Sequence, residues 1–209
     1  MKHEWRKKEK SIYLPKSKPE IIDVPTFRFL TIKGEGNPNS EKFAEYIGVL
    51  YSLSYGIKMS HKKGLAPENF YDYTVYPLEG VWDITEEAKK NFNGTINKDD
   101  LVFNLMIRQP DFVNAKFVEQ IRNITKVNKP HELLDKVIFE DIKEKKCIQM
   151  LHLGSYDNEP ETFRIMEDFS ESNGLKRLSK VHREIYLTDA RKTAPEKLKT
   201  VLRFKVDSL

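Results

Sequence analysis

The chain has 209 residues, which is enough for one domain of ordinary size with a substantial core. Charged residues make up 33% and hydrophobic residues 39%, and no run approaches the ~20 apolar residues that a membrane helix needs. The net charge of +4 is spread between the first ten residues and the C-terminal region, so we expect neither a nucleic-acid nor a membrane partner.

Cysteine content and the N-terminal residues indicate the compartment. Cys147 is the single cysteine, so it has no intramolecular disulfide partner, as is usual in a reducing environment. The N-terminus is charged and lacks the apolar run of a signal peptide. We therefore expect a cytoplasmic protein. No surface for self-association can be identified from the sequence.

The first half of the chain alternates strand and helix patterns. Residues 1–26 are basic and contain three prolines, and we treat them as an N-terminal extension that precedes a single domain over 27–209. The patterns then predict a strand from Phe27, a helix over 41–56 capped by Asn39 or Ser40, a strand over 71–82 broken at Pro77, a strand over 100–110 and a helix over 114–127.

The second half repeats this order. The patterns predict a hairpin within 136–157 that turns around 143–146, a helix over 160–173 ending at Gly174, a strand over 180–189 and a last strand over 200–206.

An internal repeat is visible in two segments. LTIKGEGNPNSEKF (30–43) aligns with MLHLGSYDNEPETF (150–163), and the alignment pairs Gly34 with Gly154 and Phe43 with Phe163. Two pseudo-repeats, about 27–110 and 136–206, would each form a βαββ unit. We therefore predict an α+β fold with tandem duplicated βαββ units, an antiparallel or mixed sheet with helices on one side, and a ligand cleft at the pseudo-twofold seam.

The segment HREIYLTD (182–189) carries the strongest candidate for chemistry. In a strand, His182, Glu184 and Tyr186 share one face, and Arg183 lies on the other. A carboxylate in an aromatic cavity can bind a cationic ligand or deprotonate a water. The alternative is an ordinary ion pair with Arg183, Arg203 or a lysine at an exposed edge. The pattern leaves both interpretations open.

PLEGVW contains two further candidates. Trp82 ends a predicted strand beside a predicted loop and could form a stacking surface for a ligand, although core or rim packing is the ordinary role of such a tryptophan. Glu79 is a second possible carboxylate, with a solvated turn residue as its alternative.

The turn HLGSYDNEP places His152, Tyr156, Asp157 and Glu159 close together. Tyr156 could donate a hydrogen bond or simply pack. The five histidines are scattered without metal-ligand spacing, so we expect no metal site. A nucleophile elbow, a P-loop and a dinucleotide fingerprint are also missing from the sequence.

Four segments together carry a family resemblance. YPLEGVW, FNLMIRQPDFV, MLHLGSYDNEP and HREIYLTDARKTAPEKLKTVLR resemble the GyrI-like small-molecule-binding proteins, relatives of the effector-binding domain of multidrug-responsive regulators such as BmrR. The resemblance runs from about Phe27 to Val206. The family pattern near HHEIYLSDPRRTAPEKLKT differs here at Arg183 and Ala190, and Ser155 replaces the proline of HIGPYD.

The resemblance implies a duplicated βαββ fold in which Glu184 points into an aromatic pocket. In multidrug-binding relatives this acid pairs with lipophilic cations. A stand-alone branch resembles hydrolases that open the cyclopropane ring of cyclopropanoid genotoxins for cellular protection, and Trp82 matches a pocket residue of that branch. The implied partner is a hydrophobic aromatic small molecule.

This resemblance leads to a mechanism without a metal or organic cofactor. Glu184 is the expected base for a water, and Tyr156 or Tyr186 is the expected donor to the substrate carbonyl. The expected ligand-binding residues are Trp82, Glu79, Phe103, His152 and His182. The alternatives are non-catalytic binding, sequestration or sensing of lipophilic and often cationic compounds, and a gyrase-inhibitor-like interaction.

Overall fold

The computed structural model describes residues 2–208, and these residues form two compact units. The first unit comprises Phe27–Leu78 and Asp83–Ile142, together with the residues before Trp5. The second unit comprises Trp5–Thr26, Glu79–Trp82 and the residues from Lys143 onward.

The elements confirm the predicted α+β class, and the order strand, helix, strand, strand occurs twice. The helices are α1 (Trp5–Lys8), α2 (Lys10–Tyr13), α3 (Glu41–Met59), α4 (Glu86–Lys90), α5 (Ala115–Asn128) and α6 (Glu159–Ser172). The strands are β1 (Glu20–Glu35), β2 (Leu78–Ile84), β3 (Leu101–Gln109), β4 (Ile138–Leu153), β5 (Leu175–Arg177), β6 (His182–Tyr186) and β7 (Lys199–Ser208).

The first unit is built on an antiparallel pair of strands. β1 and β3 pair from Arg28 opposite Gln109 to Glu35 opposite Val102. Helix α3 begins where predicted, because the Ser40 side chain accepts a hydrogen bond from the Phe43 amide. Helix α3 packs on β3 and α5, and the apolar side chains between them are buried.

The second unit has the strand order β2–β6–β7–β4, all antiparallel, and β5 pairs with the end of β7. Helix α6 packs on β5. The core contains Ile148, Met150, Met166, Leu175, Leu202, Phe204 and Val206. Residues 5–26 are part of this unit, where Trp5 and Tyr13 are buried.

The predicted hairpin around 143–146 is wrong. β4 runs without reversal from Ile138 to Leu153. Lys145 adopts a φ of 68°, yet the strand continues past it. The lysine-rich segment therefore contains one residue of turn-like conformation but no chain reversal. β2 begins only at Leu78, since the proline before it has no amide hydrogen to donate to a neighbouring strand.

The two glycines aligned in the repeat have different structural roles. Gly154 has a φ of 118°, which favours glycine. At Gly34 the constraint is space, because an added Cβ would lie 2.5 Å from a ring carbon of Phe103 and 2.9 Å from one of Tyr46. Phe103 cannot move away easily, because Phe43 and Tyr46 both contact its ring edge-to-face.

The packing at Gly34 predicts a stability difference between two equivalent substitutions. Gly34→Ala should lower the free energy of unfolding by about 1–3 kcal/mol through overpacking. Gly48→Ala is the matched control, because Gly48 lies within α3 with nothing near its missing Cβ. It should raise the free energy of unfolding by about 0.5–1 kcal/mol. Urea unfolding of both variants measures this, and equal stabilities would contradict the assigned role of Gly34.

Candidate functional site

Strand β6 separates two sets of side chains in the second unit. β2 pairs with β6 so that Trp82 lies opposite His182 and Gly80 lies opposite Glu184. Because side chains alternate along a strand, Trp82, His182, Glu184 and Tyr186 share one face. Gly80 has no side chain, so the pairing leaves space beside Glu184 on that face. β6 also pairs with β7, so it is an interior strand and not the exposed edge considered from the sequence.

A chain of hydrogen bonds orients Glu184. The Trp82 indole Nε1–H donates to the Tyr186 hydroxyl oxygen at 2.7 Å. The Tyr186 hydroxyl in turn donates to Glu184. Burial, and then the charge of Glu184, raise the pKa of Tyr186 well above its usual value, so Tyr186 remains a donor. Glu184 itself is only 8% exposed.

His182 and Phe163 lie beside this chain. His182 Nε2 lies 3.3 Å from Glu184 Oε1, and its Nδ1 lies 3.1 Å from the Lys180 carbonyl oxygen. The Phe163 ring meets the imidazole edge-to-face, with ring centroids 4.7 Å apart. These contacts hold the imidazole next to the carboxylate.

Tyr156 approaches the same face from the turn before α6. Its ring meets the Tyr186 ring edge-to-face, with centroids 6.2 Å apart. Burial, and then the charge of Glu184, raise the pKa of Tyr156 to about 12, so it keeps its proton at neutral pH. The structure thus brings Trp82, His182, Tyr186, Tyr156 and Glu184 together, as expected from the sequence.

Glu159 completes the cluster, and the sequence analysis did not assign it a role. It is the first residue of α6 and is only 7% exposed. It lies beside Glu184, and its Oε1 is buried with no hydrogen-bond donor bound to it among the described residues. Burial, then the charge of Glu184 and then that of Asp157, raise the pKa of Glu159 well above its usual value. Only its position at the start of a predicted helix, near Tyr156, could have drawn attention to it.

Three of the predicted ligand-binding residues lie elsewhere. Phe103 belongs to the first unit, where it packs against Phe43 and Tyr46. The ring nitrogens of His152 contact the Thr162 hydroxyl at 2.8 Å and the Ser155 carbonyl at 3.0 Å, and this holds the turn before α6. Glu79 lies opposite Ile185, on the other face of β6 from Glu184.

That other face contains a buried network of ion pairs. Arg183 contacts Glu79 at 2.5 Å and Glu144 at 2.9 Å, and Arg203 contacts Glu144 at 2.9 Å. Arg203 also donates to Gln149 at 2.7 Å. Burial alone would lower the pKa of Arg183, but the charges of Glu144 and Glu79 raise it. Arg183, which differs from the family pattern, is therefore held in a structural network.

A cleft of about 630 Å³ lies nearby in the second unit. It is lined by parts of β4 and by the turn and first residues of α6, including His152, Asp157 and Thr162. Trp82, Glu184 and Tyr186 do not line it. Asp157, Asn158 and Pro160, which flank Glu159 in the chain, do line it.

Glu159, His182 and Glu184 are, within residues 2–208, the one group of side chains spaced closely enough to hold a metal ion, with donor atoms all within 4.8 Å of one another. The raised pKa of Glu159 favours its neutral form over the carboxylate that a metal ion would need.

The fold and this polar cluster are those of a small-molecule-binding α+β domain. The chain matches the model of the GyrI-like small-molecule-binding domain over residues 17–207, and it belongs to that family. The resemblance inferred from the sequence is therefore confirmed.

Similar solved structures agree with this assignment. One described as a hydrolase from Listeria innocua is 34% identical, with a TM-score of 0.89 over 98% of this chain and 100% of that chain. A structure described as a hydrolase encoded by lin2189 from Listeria innocua is also 34% identical, with a TM-score of 0.90 over 99% of this chain and 100% of that chain. The C-terminal domain of EcmrR, at 13% identity and a TM-score of 0.57 over 92% of this chain and 98% of that chain, shares the fold.

A search of curated proteins gives no match. Among residues 2–208, the helices are all too short or too polar to cross a membrane.

The buried network of ion pairs predicts that Glu144 contributes more to the free energy of unfolding than Glu79 does. Burial alone would raise the pKa of Glu144, but Arg183 and Arg203 lower it overall. For Glu79, burial outweighs its arginine neighbours and raises the pKa. Glu144→Gln should lower the free energy of unfolding by about 3–5 kcal/mol, since it leaves two buried arginines undercompensated. Glu79→Gln, the matched control, should lower the free energy of unfolding by less.

The sign of the pH dependence follows from the lowered pKa of Glu144. Its contribution is present above the ordinary glutamate value of 4.5 and is lost as the pH falls through the lower folded-state pKa. The difference between wild type and Glu144→Gln should therefore shrink in acid. Urea unfolding at neutral and acid pH measures this. A larger loss for Glu79→Gln would contradict the assignment of Glu144 as the centre of the network.

Proposed function

We propose that the protein hydrolyses reactive, hydrophobic aromatic xenobiotics. The proposed substrate class is the cyclopropanoid alkylators, and the bond that is broken lies in their strained cyclopropane ring. Glu184 acts as the general base for the attacking water. This activity would protect the cell by destroying an alkylator before it reaches DNA.

The observation that supports this proposal is the setting of Glu184. It is a mostly buried carboxylate oriented by the Trp82–Tyr186 hydrogen-bond chain, with aromatic rings on the same face. A base held in one position lowers the entropic cost of reaching the transition state. The 34% identical Listeria innocua structures described as hydrolases also favour an enzyme over a passive binder.

The proposed step balances as an addition of water. One water proton moves to Glu184 as the water oxygen bonds to a ring carbon. The cyclopropane carbon–carbon bond breaks, and its electron pair moves through the conjugated ring to the carbonyl oxygen. That oxygen becomes an oxyanion and then takes a proton from solvent, while Glu184 releases its proton.

Tyr156 is better placed than Tyr186 to stabilise the oxyanion. The Tyr186 hydroxyl already accepts from Trp82 and donates to Glu184. Tyr156 stays protonated at neutral pH because its pKa is raised to about 12. It can therefore donate a hydrogen bond to the oxyanion without losing its proton.

The test is incubation of the purified protein with a cyclopropanoid DNA alkylator, followed by mass spectrometry of the small molecule. Wild type should add one water per molecule. Glu184→Gln should still bind the compound but should lose about 10²–10⁴-fold in rate, since an amide cannot accept the proton.

Glu196→Gln is the matched control, because Glu196 is exposed and lies in the same C-terminal region. It should react like wild type. Turnover by Glu184→Gln at the wild-type rate would exclude the general-base role. A compound that is bound tightly but unchanged by wild type would replace hydrolysis with sequestration.

Sequestration of lipophilic cations is the second candidate function. Glu184 and Glu159 form a mostly buried acidic pair beside the rings of Trp82 and Tyr186, which would suit a planar cation. Binding of ethidium by wild type, lost in Glu184→Gln, together with an unchanged alkylator, would favour this function.

A further inference from the structure

We propose that Gly80 is a positioning residue for the candidate site. Because it has no side chain, the Trp82 indole can lie across the Gly80–Glu184 pair and reach Tyr186, which it then holds beside Glu184. The effect of Gly80 on turnover rests on the proposed hydrolysis, whereas the position of the indole does not.

The strand register shows how far the indole must reach. Trp82 lies opposite His182, and Gly80 lies opposite Glu184. Tyr186 is four residues beyond the partner of Trp82 on β6, which is ~13 Å along an extended strand. Yet the indole Nε1 and the Tyr186 hydroxyl oxygen are only 2.7 Å apart. Both side chains must therefore lean along the sheet and meet above the Gly80–Glu184 pair.

This diagonal places one ring beside each member of the pair. The indole comes from β2, so its half of the diagonal lies beside Gly80. The phenol comes from β6, so its half lies beside Glu184. Because side chains alternate along a strand, a Cβ at position 80 would project on the same face as Trp82. A side chain there would occupy the space that the indole crosses.

The backbone of Gly80 does not itself require glycine. The ladder continues on both sides of it, from Glu79 opposite Ile185 to Trp82 opposite His182, so its backbone is extended. Glycine inside a strand weakens the strand and often marks the close approach of another group. Trp82 is only 6% exposed, and Gly80 is buried although it has no side chain of its own. An indole that covers the glycine accounts for both observations.

The indole is one of two restraints on Tyr186. The Tyr156 ring meets the Tyr186 ring edge-to-face, with centroids 6.2 Å apart, and this contact limits the ring. The indole N–H limits the hydroxyl group. Without the indole donor, the hydroxyl can turn away from Glu184. Gly80 therefore acts on Glu184 through Trp82 and Tyr186.

The direct test needs no ligand. The chain has two tryptophans, so nitrogen-15-labelled protein gives two indole N–H signals in NMR spectra, and Trp82→Phe identifies one of them by its loss. In Gly80→Ala the Trp82 signal should move to lower proton frequency, as in Tyr186→Phe. It should also exchange with solvent about tenfold faster, because the hydrogen bond to Tyr186 is lost.

Val81→Ala is the matched control for the NMR test. Val81 is the next residue of β2, and its side chain lies on the other face of the sheet. Its replacement should leave the Trp82 signal unchanged. An unchanged Trp82 signal in Gly80→Ala would overturn the proposal, whether or not the protein is a hydrolase.

Turnover of the cyclopropanoid alkylator tests the consequence for Glu184. Gly80→Ala should lower kcat about tenfold, by the same factor as Trp82→Phe, because each removes one hydrogen bond that restrains Tyr186. Added to Trp82→Phe, Gly80→Ala should cause little further loss, since the smaller ring leaves room for the methyl group. Losses that multiply would overturn the proposal. If wild type leaves the alkylator unchanged, the proposed hydrolysis fails, while the indole signals still decide the role of Gly80.

Urea unfolding locates the clash. Gly80→Ala should lower the urea midpoint of wild type, because the new methyl group and the indole compete for one space. It should not lower the midpoint of Trp82→Ala, in which that space is free. If Gly80→Ala alone does not fold, the double variant Gly80→Ala/Trp82→Ala should still fold. An equal lowering in both backgrounds would place the clash elsewhere and overturn the proposal.

Discussion

Two arginines face each other across the middle of the second unit, and the register of β6, which presents Glu184, depends on how they are neutralised. Arg183 on β6 is directly opposite Arg203 on β7, an arrangement that would be repulsive alone. Glu144 contacts both guanidinium groups, and Glu79 contacts Arg183. A slip of β6 by one residue would bury Glu184 in this network and leave Arg183 on the other face. The buried ion pairs therefore specify the register that presents Glu184.

On the opposite face, the polar groups are arranged around a single carboxylate. Trp82 and Tyr186 lie on neighbouring strands. The register of β2 on β6 therefore determines both their hydrogen bond and the pairing of Gly80 with Glu184. Helix α6 brings Glu159 to the same carboxylate. The site thus brings two aromatic hydrogen-bonding side chains and a second acid to one carboxylate.

The sequence predicts those features that depend on local spacing. The period of two in HREIYLTD places Glu184 and Tyr186 on one face, and Ser40 caps α3 as its residue type indicates. Contacts between distant segments could not be predicted. Glu159 and Glu184 lie on different elements, and nothing in either segment indicates that they meet. The sequence predicts a ligand-binding role for His152, but its ring hydrogen-bonds within the turn before α6. The sequence predicts a turn at Lys145, but this residue lies within β4.

The contrast between the two faces of β6 explains how one short strand can serve both stability and function. The network face holds two arginines and two glutamates, so its formal charges balance, and this face can be fully buried. The Glu184 face holds two acids with no arginine or lysine in the cluster described, so it is neutral only when protons or a cationic ligand are added. Arg183, where this chain differs from the family pattern, lies on the balanced face, so the difference leaves the environment of Glu184 intact.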